Sequence, residues 1–278
     1  MQNTLKGSTI LISGITDKAS LALSIAKAAL NQGAELILTG LGKTPHHSNL
    51  SEKAQAYLER TYQDFQETIK GELGEGILTY PMDVTLDGSV SDFTSFVNSK
   101  GKTIHGFVHS IAMDKTIRGG VVKPMIEVTR EEFMDALNVS AYSFLSLVRS
   151  LLQSNALAKN SSLIALSYLG AEKITSHPYK NIGVAKAALE RILVELAYEL
   201  GRSHGIQVNA VRFSPYTASK AGGAIEGLQK AVDLCNEASP LGNALPIDLA
   251  MECVYLLRPG NRITGEVRHV DGGYHIRG

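Results

Sequence analysis

The sequence predicts an α/β fold, a single doubly wound domain whose central parallel sheet of about seven strands carries helices on both faces. Three observations predict it. Short apolar runs alternate with longer segments whose apolar residues recur at helical spacing, which is the pattern of successive βα units. The runs break at small or turn-forming residues such as Gly14, Gly40, Pro81 and Pro215, and it is there, at strand ends, that open α/β sheets hold ligands. The 278 residues are 44% hydrophobic, with 26 glycines against 8 prolines, enough to bury a core of that size.

Composition also excludes classes. Lys plus Arg equals Asp plus Glu, 27 each, so no global field favours nucleic acid or an acidic membrane. Two cysteines, Cys235 and Cys253, read as small buried apolar residues in a reducing compartment rather than a disulfide frame. The first residues lack the apolar core of a signal peptide, and no apolar run reaches bilayer length. A cytoplasmic protein is expected.

Residues 8–13 form the first apolar run, breaking at Gly14, and a helix is expected from Ser20 to about Gln32. Strand, glycine turn and helix open a dinucleotide-binding, Rossmann-type fold, whose helix-start N–H groups meet a pyrophosphate. The G-x-G-x-x-G fingerprint is replaced by Gly14…Ser20-Leu21-Ala22. The plainer reading is an ordinary turn capped by Ser20. The second strand, 35–39, ends without the acid that often holds adenosine ribose hydroxyls. Lys43 follows, as a candidate for a 2′-phosphate or as a solvated loop lysine.

Residues 43–75 exceed a minimal crossover and carry an inserted helix, read from Leu50 to Ile69 at helical spacing. His46 and His47 before it read as loop residues, without the further ligands a metal needs. A third strand, 76–80, leads to Asp83, placed either to accept from an adenine amino group or to cap the next turn. A helix over 89–100 and a fourth strand over 106–110 follow. Ser110 and Ala112 are small where backbone passes a bound ribose. One long helix is expected from Glu131 to about Leu157, then a fifth strand over 162–166.

The stretch from Ser167 to Lys186 then places Tyr168 at a strand end and Tyr179 and Lys186 at a helix start. Seven residues at about 100° each bring Tyr179 and Lys186 to one helix face. An ammonium there favours the electron-rich form of a phenol. The plainer reading is an interface tyrosine and a snorkelling lysine. A helix to Leu200, a sixth strand over 207–212, a small-residue-rich segment over about 214–240 suited to a substrate-covering lid, and a last strand over 263–270 complete the chain.

Assembled, these residues resemble the short-chain dehydrogenase/reductase superfamily and, within it, the NADH-dependent enoyl-acyl-carrier-protein reductases of bacterial fatty acid synthesis. The resemblance covers nearly the full length. It is carried by Gly14…Ser20-Leu21-Ala22, Met82-Asp83-Val84, His109-Ser110-Ile111, Ser167-Tyr168-Leu169-Gly170, Tyr179…Lys186 and His269…Gly273. It implies hydride transfer from NADH, or NADPH, to the β-carbon of a trans-2-enoyl thioester on acyl carrier protein or coenzyme A. Tyr179 would donate to the enolate oxygen, Lys186 would hold the nicotinamide-ribose hydroxyls, and Tyr168 would line the substrate side. Gly14, Ser20, Leu21, Asp83, Val84, Ser110, Ala112 and Pro215 would contact the cofactor. Neither a metal, a nucleic acid nor a membrane is implied. Relatives of this kind are homotetramers.

The chain departs from that pattern where the family has Ala-Gly-Pro-Ile-x-Thr, with Phe213-Ser214-Pro215-Tyr216-Thr217-Ala218 instead. The lid carries Glu226, leaving Lys220 and Lys230 as partners for an acidic carrier protein. These departures keep open a divergent paralogue acting on another activated alkene, and a nucleotide-binding protein with little catalysis.

Overall fold

The computed structural model describes residues 3–117, 122–175, 180–218 and 227–277. Seven strands, β1 (Thr9–Ser13), β2 (Glu35–Gly40), β3 (Leu78–Pro81), β4 (Ile104–His109), β5 (Leu157–Ser167), β6 (Gln207–Phe213) and β7 (Val267–Val270), form one sheet in the order β3-β2-β1-β4-β5-β6-β7. Every pairing is parallel. The order reverses between β1 and β4, so a crevice opens beyond their carboxyl ends, the usual binding place in open α/β sheets.

Burial on both faces explains the continuous apolar runs. One core layer packs Ile10, Ile12, Leu36 and Leu38 against α1 (Leu21–Asn31), the inner side of α2 (Glu52–Leu73) and α8 (Pro246–Leu257). The opposite layer packs Leu11, Ile37, Phe107, Leu163 and Val208 against α3 (Asp87–Ser99), α5 (Ser143–Gln153) and α6 (Lys180–His204). The alternation along each strand sends neighbouring residues to opposite layers. A further helix, α7 (Leu228–Ala238), follows β6 and lies within the expected lid segment. Both cysteines are buried.

The long helix expected from Glu131 to about Leu157 is corrected in two ways. It divides into α4 (Arg130–Leu137), a π-turn over Asn138–Tyr142, and α5, which stops at Gln153. Asn155 then takes a left-handed conformation, φ 54°, which an asparagine side chain tolerates. The strand begins at Leu157, five residues earlier than expected. Its polar start, Lys159-Asn160-Ser161, contains a second left-handed asparagine (φ 60°) and a register shift against β4. A bulged strand start of this kind carries no apolar signal.

Candidate active site

A cavity of about 790 Å³ lies over the carboxyl ends of β1, β2, β3 and β4. Its floor is built from backbone and small side chains. Gly14 has φ +93°, and a Cβ there would stand 2.0 Å from the Ser110 carbonyl oxygen, so only glycine lets the β1 and β4 ends approach. Ser20 caps α1 in an unexpected way: its hydroxyl donates to the Asp17 carbonyl at 2.8 Å and accepts nothing from the helix. The first turn of α1 carries no acid of its own, and the one carboxylate bonded just before it is Asp17, which accepts from the Ala19 N–H at 2.7 Å; helix starts of this kind favour anions.

Gly14, Ser20, Leu21, Asp83, Val84, Ser110 and Ala112 all line this cavity. They come from three separate strand ends, those of β1, β3 and β4, and the fold brings them to one wall. Tyr57 and Leu58 of α2, and Asn138 and Val139 of the π-turn, line it as well. Their helical spacing gave no sign of that. The cavity is long, mixed in polarity and open to α1, so its residues fit an extended dinucleotide.

Asp83 serves the turn it was offered for as one alternative: Oδ1 accepts from the Thr85 N–H at 2.9 Å and hydroxyl at 2.6 Å. Its other oxygen lies 3.1 Å from His47 Nε2. The Thr44 N–H donates to His47 Nδ1 at 3.0 Å, which puts the ring proton on Nε2, where it donates to Asp83. His47 is thus more than the loop residue expected; it orients a carboxylate on the cavity wall. Lys43 donates to Gln55 and Glu59, each at 2.9 Å, as a tethered loop lysine.

Behind the Ile111 part of the cavity wall lies a second cluster. Lys186 is buried on α6, and its Nζ donates to the Ile111 carbonyl at 3.0 Å. Burial lowers its ammonium pKa to about 7, opposed by the charge of Glu190. His109, fully enclosed at the end of β4, is pushed well below the usual imidazole range by burial and then by Lys186. The Ser143 hydroxyl donates to the Val139 carbonyl at 2.7 Å, so at 2.8 Å it accepts the Nε2 proton of a neutral His109. Tyr168 follows β5. A Cβ on Gly183 would lie 3.2 Å from the Tyr168 hydroxyl oxygen, so that phenol sits against α6 three residues before Lys186. Pro215 follows β6, and the neighbouring Ser214 hydroxyl accepts from the Ala244 N–H at 3.1 Å. Tyr179, Lys220 and Glu226 lie outside the described residues.

Among the described residues, one group has metal-ligating spacing: His269, Asp271 and His275, with ligand atoms within 4.8 Å of one another. The Asp271 carboxylate already accepts from the Gly273 and His275 N–H groups, each at 3.1 Å, and from His275 Nδ1 at 2.8 Å. Arg212 holds a fixed positive charge 3.5 Å from His269 Nε2. The trio acts in this structure as a latch on the C-terminal turn.

The family model described as enoyl-(acyl carrier protein) reductase matches residues 14–275. The chain belongs to the enoyl-(acyl carrier protein) reductase family. Relatives named enoyl-[acyl-carrier-protein] reductase [NADH] FabI include one from Aquifex aeolicus, 33% identical over 99% of this chain and 93% of its own length. Another, from Bacillus cereus, is 31% identical over 99% of both. The crystal structure of the Bacillus cereus reductase with NADP+ and an indole naphthyridinone superposes with a TM-score of 0.84 at 30% identity, covering 100% of each chain. That of the Aquifex aeolicus reductase gives 0.83 at 33% identity, covering 99% of each. Their fold is the seven-stranded arrangement found here.

Proposed function

We propose that this chain is an NADH-dependent enoyl-acyl-carrier-protein reductase of fatty acid synthesis, with Tyr179, Lys186 and Tyr168 at the reacting end of its groove. The observation that carries the site assignment is the meeting of two features at Ile111. Ile111 lines the dinucleotide-sized cavity, and the buried Lys186 ammonium donates to that residue's carbonyl. Gly14, Ser20 and Leu21 would hold the pyrophosphate, Asp83 and Val84 the adenine, and Ser110, Ala112, Lys186 and Pro215 the nicotinamide half. Bound there, reduced nicotinamide supplies the hydride that the β-carbon of the enoyl thioester receives.

The chain's own residues do the rest. Negative charge grows on the thioester oxygen, and Tyr179 donates a hydrogen bond to it. A donor already in place stabilises charge without reorganisation. Lys186 orients the ribose and sets a positive charge beside the phenol. Tyr168, held against Gly183, borders the acyl chain. His109 stays neutral and packs rather than moving protons, since its one donor is spent on Ser143. Lys43, tied to Gln55 and Glu59, is occupied away from a 2′-phosphate, in favour of NADH over NADPH.

The same reading takes the chain as one domain, with an insertion helix in 43–75 and a lid over 214–240. It is cytoplasmic; no described helix is long and apolar enough to cross a membrane. A homotetramer is favoured by exposed apolar side chains on two helices, Val194 and Tyr198 of α6 and Ile247, Met251 and Tyr255 of α8.

The test is loss of NADH absorbance with a trans-2-enoyl thioester on carrier protein and on coenzyme A, beside a saturated control thioester and NADPH. Enoyl-dependent oxidation is expected, and Tyr179→Phe lowers turnover by on the order of 10²–10³ with little change in NADH affinity. Cofactor binding without oxidation of any enoyl thioester would overturn the reading in favour of another activated alkene.

A further inference from the structure

Beside Lys186 lies a buried ion pair to which the chemistry above gives no task. Glu190 stands one turn further along α6, and Arg212 near the end of β6; they are 8% and 4% exposed. The guanidinium meets the carboxylate through two bonds, Nε to Oε1 at 2.9 Å and a terminal nitrogen to Oε2 at 2.6 Å. This fork is a geometry that lysine does not offer. Oε1 also accepts from the Ser167 hydroxyl at 2.6 Å, and Ser167 directly precedes Tyr168. The remaining terminal nitrogen pairs with Glu172. One carboxylate therefore ties α6 to the ends of β5 and β6.

Net stability is a weak reason for such a pair, because the desolvation of two buried charges offsets most of their attraction. Position gives a stronger one. The groups around Lys186 are Glu190 on its own helix, His109 at the end of β4, the Ile111 carbonyl beyond it, and Tyr168 beside Gly183 after β5; Tyr179 precedes the described start of α6. Glu190 is the one carboxylate among them, and its charge is already matched by Arg212.

We propose that Glu190 and Arg212 are positioning residues of the reducing site. Arg212 takes up most of the carboxylate's charge, so Lys186 stays a donor with little counter-charge, aimed at the cofactor groove, while Glu190 anchors the Ser167–Tyr168 corner. What Lys186 donates to rests on the reductase reading; the charge coupling among the three side chains does not.

The coupling predicts shifts of opposite sign. Glu190→Gln removes the attractive charge and leaves the guanidinium, which makes Lys186 harder to protonate. Arg212→Met releases the carboxylate, which makes it easier. The double variant is neutral again. The experiment follows NADH affinity of the full chain by fluorescence from pH 6 to pH 9, with melting temperature recorded at each pH. Affinity falls as pH rises through the Lys186 midpoint, which lies at about 7 in the wild type. The midpoint moves down by about one pH unit in Glu190→Gln and up by about one in Arg212→Met, and returns towards the wild type in the double variant. Arg212→Lys keeps the charge but loses the fork, so its midpoint holds while turnover drops through a loosened Tyr168.

Single variants that shift the midpoint in the same direction, or not at all, overturn the proposal. So does a double variant more impaired than either single one, the outcome of a merely structural pair. Should Glu190→Gln not fold, Arg212→Met and the double variant still decide. A wild type that binds NADH but reduces no enoyl thioester would sink the reductase reading alone, while unmoved midpoints in an active enzyme would sink this inference alone.

Discussion

The two halves of the sheet build their parts of the groove from different materials. On the β1–β4 side, the wall is backbone: a left-handed glycine, a bare helix start and small side chains at strand ends. On the β5–β7 side, behind the cavity lining, it is buried charge, with Lys186, Glu190 and Arg212 almost removed from water. A backbone wall depends on a few residues being small and leaves the rest free to vary. A charged wall depends on each group having its partner, since an unpaired charge in the interior is strongly unfavourable. Changes on the first side should therefore act through shape, and on the second through pH.

The largest effect is expected from Gly14→Val. Its Cβ would overlap the Ser110 carbonyl and strain a φ that branched residues avoid. NADH affinity should fall at least about a hundredfold at every pH, as calorimetry would show, because the β1 and β4 ends must part. A loss that depended on pH would erase the contrast between the halves.

Next comes Lys186→Met, read by stability of the cofactor-free protein. The folded state lowers the lysine pKa from 10.5 to about 7, so below 7 both states carry the proton and the full cost of burying it is present. As pH rises from 7 towards 10.5 the folded chain gives up that proton first, and stability increases. Lys186→Met should be more stable than the wild type near pH 7, and the difference should shrink towards pH 10 in denaturant titrations. A constant difference would place Lys186 in a more solvated setting than its burial implies.

The smallest effect belongs to His47→Gln. An amide can still donate to Asp83 but loses the ring's fit to the Thr44 N–H, so NADH affinity should drop about two- to fivefold, roughly 0.5–1 kcal/mol. The change should be the same for NADH and NADPH if Lys43 remains tethered to Glu59; a separation of the two would give Lys43 a role at the ribose.

Legibility in the sequence divides in a related way. All seven strands were located in the sequence, and the central ones read as apolar runs, because a parallel sheet covered on both faces leaves them no polar alternation; the edge strand β7, Val267 to Val270, does alternate. The part of the cavity wall at the ends of β1 and β4 was readable too, since glycine and small residues just beyond a strand announce themselves locally; Tyr57, Leu58, Asn138 and Val139 were not. The charge partners were not. Glu190 and Arg212 are 22 residues apart, and His47 and Asp83 are 36 apart; such pairs exist only once the sheet has closed. The altered segment after β6 pointed at Phe213 to Ala218, while the consequential arginine was the residue just before it, hidden within an apparently ordinary strand. The helix over 131–157 failed for another reason: helical periodicity runs on through a π-turn, and nothing in the pattern counts the extra residue.

That π-turn absorbs one extra residue between α4 and α5. Asn138 and Val139 face the groove from it, while downstream Ser143 meets His109 and Phe144 stacks on Phe107 with ring centres 5.6 Å apart. Removing one residue from 138–142 would close the bulge into an unbroken α-helix and keep the faces after it in place, whereas removing one from the start of α5, where no bulge absorbs the change, would turn everything after it by about 100°. The buried face of α5 would swing to solvent, and its polar side into the core. The chain can exchange side chains along this helix far more readily than it can change their number, so length here is as much a part of the active-site specification as identity.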